Sequence, residues 1–181
     1  MASIKCFSQT SNELRVYYGF VDSEILTNEE LQGYGSYNNC HSYEFGFKYS
    51  REISNRLSIE TGINFLSTQV QILPAFTGMP RILKEEDLKL ISIPIYANYS
   101  FGDYFFIYGG PLTDFQLEDK SFDAQSGIGY AFGIGGKFNF KNYKIYITPN
   151  FKRHSFIPFE KENSLDKLLE LGIQLGVGYA F

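Results

Sequence analysis

Two histidines are each followed directly by a serine, and a serine can transfer acyl groups when an imidazole removes its hydroxyl proton. The pairs are His41-Ser42 and His154-Ser155. Successive side chains of a strand point to opposite faces, so in a strand neither histidine can reach the serine beside it. A working couple would need a partner from another strand and an orienting carboxylate. We therefore interpret both histidines as ordinary residues of the rim and predict no catalytic residue.

The cysteines and glycines do not form a metal or nucleotide motif. Cys6 and Cys40 belong to no CxxC or Cys/His cluster, so we predict no metal, no disulfide framework and no cofactor. Four glycines of one segment share a parity: Gly127, Gly129, Gly133 and Gly135. The dinucleotide fingerprint mixes parities and opens a helix. We expect these glycines to make room for larger side chains on one face of a strand.

The composition favours strands over helices. The 181 residues suit one domain, and 18% are aromatic, with no Trp, beside 17 glycines. A formal net charge of -4 leaves no basic surface for phosphates, so nucleic-acid binding is disfavoured. No apolar run approaches the roughly 20 residues of a spanning helix. These features exclude a helical membrane protein but leave a membrane barrel open.

Apolar and small or polar residues alternate with a period of two through most of the chain. The last fourteen residues, Leu168 to Phe181, show this best, since every odd position from Leu169 to Phe181 is apolar. Such stretches predict eight strands, at 13–22, 42–52, 56–70, 89–101, 104–114, 127–140, 143–154 and 168–181. The side-chain directions of the fifth stay open, because Phe105 to Tyr108 are apolar at both parities and Gly109-Gly110-Pro111 follows.

The connections between these strands alternate in length. Tight hairpins are predicted near Ser54, Asp103 and Asn142. The other four connections have about a dozen to twenty residues: Asp22 to His41, Gln71 to Leu88, Phe115 to Ser126 and Ser155 to Lys167. Short turns then gather at one end and long loops at the other, as in outer-membrane barrels. We predict an all-β fold, an eight-stranded antiparallel up-and-down transmembrane β-barrel.

Aromatic residues on the apolar face fall into two bands, which suits a slab of hydrocarbon. The turn-side band contains Tyr49, Tyr99, Phe101, Tyr104, Phe138, Phe140, Tyr143, Tyr179 and Phe181. The loop-side band contains Phe20, Tyr43, Phe45, Phe65, Tyr130 and Phe151.

The opposite face carries charges of both signs among small residues. We predict a lumenal charge network of Arg15, Glu44, Lys48, Glu60, Lys137, Lys144, Lys152 and Glu170. Such charges can pair inside a narrow lumen, but on a soluble lipocalin-like carrier they would be solvated surface. The carrier of hydrophobic ligands therefore stays an alternative.

The order of several short motifs resembles the small outer-membrane barrels known as PorT-like or porin-family proteins. The motifs are Ile93-Pro94-Ile95-Tyr96-Ala97, Tyr99-Ser100-Phe101-Gly102, Tyr108-Gly109-Gly110-Pro111 and the strand from Gly127 to Phe140. The resemblance covers the chain after about residue 13. It implies an eight-stranded barrel in the cell outer membrane, exported through the periplasm, and it implies no single activity.

The last residues are similar to the C-terminal assembly signal of outer-membrane proteins. The matching positions are Gly176, Gly178, Tyr179 and Phe181. This similarity implies the barrel-assembly machinery as a partner, together with outer-membrane lipids and lipopolysaccharide. Residues 1–12 are predicted to be a tail and 13–181 the barrel domain. Cys6-Phe7-Ser8 has the small-x-small form of a signal-peptidase site, so the tail is either a signal remnant or untargeted.

The predicted function is that of a structural or interaction barrel, and not an enzyme. Eight strands enclose an interior that side chains can fill, which argues against a general pore. The first long loop has four acidic residues and no Lys or Arg, which we interpret as surface solubility rather than a cation site. A lipid A-modifying enzyme of the outer membrane stays an alternative, since some small barrels act on lipid A.

Overall fold

The computed structural model describes residues 11–26, 37–72, 84–117, 125–159 and 167–181, which form eight strands. The strands are β1 (Asn12–Leu26), β2 (Tyr37–Glu52), β3 (Leu57–Ile72), β4 (Lys84–Phe101), β5 (Phe105–Gln116), β6 (Gly127–Phe140), β7 (Tyr143–Pro158) and β8 (Lys167–Ala180). The described residues include no helix long and apolar enough to span a bilayer.

The strands close into a barrel in which each strand pairs antiparallel with its neighbours in sequence. The seam between β1 and β8 completes it, with Leu14 opposite Tyr179 and Phe20 opposite Ile173. At its turn-side end, Asn12 N donates to Phe181 O at 3.1 Å and Phe181 N donates to Asn12 O at 2.9 Å. Closure leaves no unpaired edge to face lipid, which the bilayer core would not tolerate.

The two faces of the sheet have opposite polarity. Along β1, Val16 and Phe20 on the outer face are 54% and 61% exposed, whereas Arg15 and Tyr17 on the inner face are buried. The same alternation resolves the direction of β5, where Phe106 and Tyr108 point inward and their neighbours outward. Apolar side chains outside and polar ones inside are the reverse of a soluble barrel's needs.

Both predicted aromatic bands lie on the outer face. All nine members of the turn-side band are exposed, from Tyr49 at 37% to Phe181 at 60%. In the loop-side band, Phe20, Tyr43 and Phe45 are exposed, and the other three members are half-buried. Two rings of amphipathic or aromatic side chains at different depths match the two interfaces of a bilayer.

The three short connections are tight, as predicted, and two of them use the left-handed backbone region. Gly102 has a φ of 64° in the turn between β4 and β5, and Lys141 has a φ of 56° between β6 and β7. Glycine adopts a positive φ without steric strain because it has no Cβ. At Gly102 the φ angle is therefore the reason for a glycine, since a Cβ there would meet no other atom within 4 Å. These turns bring β2 to β3, β4 to β5 and β6 to β7 at one end of the barrel.

At the opposite end the strands run further than the alternation predicted, so the predicted loop boundaries were wrong. β1 continues to Leu26, β4 begins at Lys84 and β7 ends at Pro158. Exposed polar residues such as Glu24 and Asp87 extend these ladders beyond the apolar belt. In this region polar residues occupy both faces of the strands. The alternation with a period of two is therefore lost, although the backbone pairing continues. The predicted loop centres, near Leu31, Met79, Lys120 and Glu160, lie outside the described residues.

Candidate functional site in the barrel lumen

Charged side chains fill the lumen as one connected series, which we name the charge ladder. From the turn side to the loop side its members are Lys144, Glu13, Arg15, Glu60, Lys48, Gln174, Glu44, Lys152, Glu170, His154 and Asp114. All but Lys144 are less than 10% exposed. With His154 as imidazolium, cations and anions alternate along the ladder, and neutral Gln174 bridges one step.

The turn-side part of the ladder centres on Glu13. Its two carboxylate oxygens lie 2.8 Å from Lys144 Nζ and 3.3 Å from Arg15 Nη2. Tyr146 Oη donates to Glu13 Oε1 at 2.6 Å, and the Arg15 guanidinium lies over the Tyr146 ring at 3.5 Å from its centroid. Glu13 was not among the predicted site residues, although it shares the inward parity of Arg15.

The middle of the ladder links Arg15 to β8. Glu60 lies between two cations, with Arg15 Nη1 at 3.1 Å and Lys48 Nζ at 3.2 Å. Lys48 Nζ donates to Gln174 Oε1 at 3.1 Å, and Gln174 Nε2 donates to Glu44 Oε1 at 2.9 Å. Since Gln174 offers both a donor and an acceptor, it joins a lysine to a glutamate in a dry interior.

Aromatic rings surround the Lys48 ammonium in this region. The centroids of Tyr17, Tyr108 and Tyr96 lie 4.7, 5.0 and 5.6 Å from Lys48 Nζ. A cation at these distances is attracted to the ring faces. The rings therefore compensate part of the desolvation of a buried ammonium.

The loop-side part of the ladder contains Lys152 and His154, which lie between three carboxylates. Lys152 Nζ contacts Glu44 and lies 3.1 Å from Glu170 Oε2. The imidazole of His154 lies between Glu170 Oε1, 3.1 Å from Nε2, and Asp114 Oδ1, 3.0 Å from Nδ1. Ionised carboxylates only accept hydrogen bonds, so a ring with a hydrogen on each nitrogen suits both contacts.

Asp114 ends the ladder with two further contacts. Ser92 Oγ donates to Asp114 Oδ1 at 2.6 Å, and the Ser155 backbone N–H donates to Asp114 Oδ2 at 3.3 Å. Beyond this level lies a cluster of buried leucines beside buried polar side chains such as Thr68 and Ser23. The leucines are Leu66, Leu88, Leu90 and Leu168. The ladder, this leucine cluster and a second cluster of buried, mostly aromatic side chains occupy much of the described lumen: Tyr96, Phe106, Tyr108, Leu112, Ala131 and Tyr146.

The structure corrects the interpretation of His154 as a rim residue, because its side chain is fully buried. It also shows why the opposite-face rule fails there. Ser155 has a φ of 45°, and the register between β6 and β7 shifts between Ile128 and Tyr130, so two successive side chains are buried. Both ring nitrogens of His154 face carboxylates and leave none for Ser155. The side chain of His41 lies outside the described residues.

The predicted network residues all lie on the inner side, but they are not all in one network. Seven of the eight belong to the charge ladder, where each contacts at least one other member. Lys137 is not in the ladder and donates to Ser100 Oγ at 2.9 Å, at the turn-side mouth. Sequence reasoning missed Glu13, Gln174, His154 and Asp114, of which the first three share the parity of predicted members on their own strands.

Glycines of β6 and β8 give the inner side chains their space. A Cβ on Gly135 would contact the Phe106 ring, and one on Gly133 would lie 2.6 Å from Tyr108 Cζ. Two positions of the predicted assembly signal have the same role, because a Cβ on Gly178 would lie 2.5 Å from Glu13 Oε1 and one on Gly176 would lie 3.3 Å from Arg15 Cδ. Gly133 and Gly135 thus make room for large inner side chains as predicted, whereas a Cβ on Gly127 or Gly129 would first meet backbone oxygens of β7.

The aromatic positions of the predicted assembly signal face outward. Tyr179 is 43% and Phe181 60% exposed, and their rings stack at 6.4 Å with an interplanar angle of 17°. Among the described residues, no group of three or more His, Cys, Asp or Glu could hold a metal ion.

Comparison with solved structures identifies the class of barrel to which this fold is similar. The outer membrane protein AlkL, solved in DMPC lipid bilayers, matches with a TM-score of 0.58 and 12% identity, over 100% of this chain and 94% of AlkL. The fold is that of an outer-membrane barrel. Ail of Yersinia pestis, the attachment invasion locus protein, matches with a TM-score of 0.51 and 18% identity, over 96% of this chain and 100% of Ail.

At these identities the likeness concerns the fold. It confirms the predicted fold class, an eight-stranded transmembrane barrel, and with the apolar outer face it agrees with the predicted location in the cell outer membrane. No protein-family model and no curated protein matches the chain. The finer resemblance to PorT-like barrels stays a prediction.

Proposed function

We propose that this outer-membrane barrel is a structural or interaction protein that displays four loops at the cell surface and conducts no solutes. The observation that carries the proposal is the filled lumen. Charged side chains paired with one another, buried aromatic rings and the leucine cluster occupy the lumen, and this supports a barrel without a continuous open path. A pore needs a continuous wet passage, so the useful surface of such a barrel is its loops.

The loops themselves favour a partner with a basic surface. Each of the four long connections contains more acidic than basic residues, and the first, Asp22 to His41, contains no Lys or Arg. Ail was solved in complex with a heparin analogue, sucrose octasulfate, so a barrel of this fold can bind a ligand. A polyanion of that kind would be repelled by the acidic loops of this chain. A cationic protein segment is the partner that their charge suits.

Conductance across a planar bilayer tests the closed lumen. The protein refolded into the bilayer should give no unitary current steps over the range of voltages that the membrane withstands. Replacing Glu44 and Lys152 by serine together shortens both partners of one ladder contact, and this variant shows whether the assay detects a wetter lumen. Stable unitary steps with the wild-type protein would overturn the proposal.

The display of loops requires a defined orientation. Single cysteines at positions 31, 79, 120 and 160 should react on intact cells with a membrane-impermeant thiol reagent, in a background without Cys6 and Cys40. Cysteines at the turn positions 54, 103 and 142 are the matched set and should react only after the outer membrane is opened. Labelling of the turn set alone on intact cells would reverse the orientation.

The alternatives are less well supported. A soluble carrier would not leave side chains such as Phe47 and Ile134 about 60% exposed around the whole barrel. A lipid A-modifying enzyme using a histidine and a serine would need an accessible couple. His154 and Ser155 are fully buried, and the histidine is held between two carboxylates.

A further inference from the structure

A small polar pocket opens at the turn-side mouth of the barrel, where the turn-side end of the charge ladder forms part of its wall. It has room of about 50 Å³, and its wall consists mainly of polar side chains from several strands and from the turn between β2 and β3. Its charged residues are four cations, Arg15, Arg56, Lys137 and Lys144, and two carboxylates, Glu13 and Glu52. The pocket therefore has an excess of positive charge.

Two of these cations lack an anionic partner. Lys137 is about half buried, and its one hydrogen bond goes to the neutral hydroxyl of Ser100. Within the described part of the chain, no carboxylate is ion-paired with Lys137 or Arg56. Residues 1–10, which precede the described chain, contain no Asp or Glu. Among the described residues, no direct ion pair therefore neutralises Lys137 or Arg56 at this mouth.

The arrangement of the strands places two of the pocket's lysines side by side at the mouth. Lys137 is opposite Tyr146, and Lys144 is opposite Asn139, so the two lysines are diagonal neighbours on the inner face. Lys137 reaches across the mouth to β4, where Ser100 lies. Ser50 on β2 and Ser58 on β3 add hydroxyl donors to the same wall. Lysines and hydroxyls that converge in this way are the donors that an oxyanion accepts.

We propose that this mouth binds a small oxyanion, a phosphate group, from the periplasmic side, between Lys137, Lys144 and Arg56. Glu13 already has three donors of its own, Lys144, Arg15 and Tyr146, so Lys137 and Arg56 supply the charge that the anion neutralises. The phosphate can come free from solution or from a phospholipid headgroup of the inner leaflet. The anion chemistry does not depend on the role of the loops, and the periplasmic side rests on the orientation proposed above.

The test uses the isotope-labelled full chain, refolded in maltoside micelles that contain no phosphate, and inorganic phosphate as the probe. We expect saturable shifts of the Lys137 and Ser100 amide resonances. Lys137→Gln should weaken binding by about tenfold or more, the loss typical of one charge-assisted hydrogen bond. Arg56→Gln, at an exposed turn residue that the fold does not need, should weaken it as well.

Lys141→Gln is the matched control, because Lys141 is a lysine of the same barrel end that does not line the pocket. It should leave the affinity unchanged. A second arm replaces the micelles by vesicles with phosphatidylglycerol. Shifts that appear there before phosphate is added assign the site to the lipid headgroup. An absence of saturable shifts in both arms, or an equal loss for Lys141→Gln, would overturn the proposal.

Discussion

Glu60 is the residue on which two ladder cations depend. It is fully buried between Arg15 and Lys48, and removal of its charge leaves both without their shared anion. Breaking a buried ion pair by removing one partner costs about 3 to 5 kcal/mol. We therefore expect Glu60→Gln to lower the free energy of unfolding by that amount, as measured by urea unfolding in phospholipid vesicles.

Glu24→Gln provides the comparison for this prediction. Glu24 is an exposed carboxylate of β1 above the apolar belt, and its neutralisation should change the free energy of unfolding by less than about 0.5 kcal/mol. Similar losses for the two variants would mean that the ladder contributes no more than surface charge does.

A glycine pair on β6 tests the space that the inner side chains require. In Gly133→Ala the new methyl would lie 2.6 Å from Tyr108 Cζ, in a layer where Tyr108 packs beside Lys48. Overpacking of this kind costs about 1 to 3 kcal/mol. Gly136→Ala, on the outer face of the same strand, meets only Tyr104 O at 3.9 Å and should be neutral or slightly stabilising. Thermal unfolding in the same detergent distinguishes the two, and a neutral Gly133→Ala would contradict the packing argument.

Parity could predict much of the candidate site, but not its connections. Lys152 and His154 share one parity on β7, so the burial of His154 follows from the predicted strand 143–154 itself. Asp114 could not be assigned to the lumen, because β5 is apolar at both parities near its start. The burial of Ser155 depends on a φ of 45° that no residue type at that position signals. Which cation meets which carboxylate depends on register and closure, and both lie beyond the alternation of one strand.

At the scale of an element, β3 extends from the apolar belt into the polar region near the loops. The depth of a position in the bilayer should therefore determine how much an introduced charge destabilises the barrel. Ile63 lies in the belt and is 57% exposed, and Gln69 is exposed on the same face nearer the loops. An arginine near the bilayer midplane costs about 2 to 4 kcal/mol, and one at the interface about 0 to 1. Ile63→Arg should therefore be much more destabilising than Gln69→Arg in vesicle unfolding. Equal losses would place both positions at one depth.

The strands themselves were largely predictable from sequence. In a strand with one apolar and one polar face, apolar and polar residues alternate with a period of two. All eight predicted strands exist. The ends were predicted less well, since β2 begins at Tyr37 and β4 at Lys84, each five residues before its predicted start. Beyond the apolar belt the strands remain hydrogen-bonded while both of their faces are polar. The alternation of apolar and polar residues therefore ends before the strand does.

For the whole molecule, the closing seam gives a prediction about assembly. Phe181 exchanges two backbone hydrogen bonds with Asn12 and exposes its ring at the turn-side interface. Its deletion removes apolar area worth about 1 to 3 kcal/mol, which a formed barrel can survive. If Phe181 belongs to the assembly signal, the deletion should lower the yield of assembled barrel in cells far more than the stability of refolded protein. Normal assembly in cells would refute that role.

The ladder also has a consequence for the order in which the molecule forms. Its links between the first two and the last two strands join residues far apart in sequence: Lys144 to Glu13 over 131 positions, Lys48 to Gln174 over 126 and Lys152 to Glu44 over 108. None of these contacts can form before β7 and β8 have joined the sheet. An incomplete sheet therefore has lumenal charges without their partners, and placing unpaired charges in hydrocarbon is costly. Stable insertion into the hydrocarbon core is therefore expected only when β7 and β8 pair with the rest of the sheet and close the barrel.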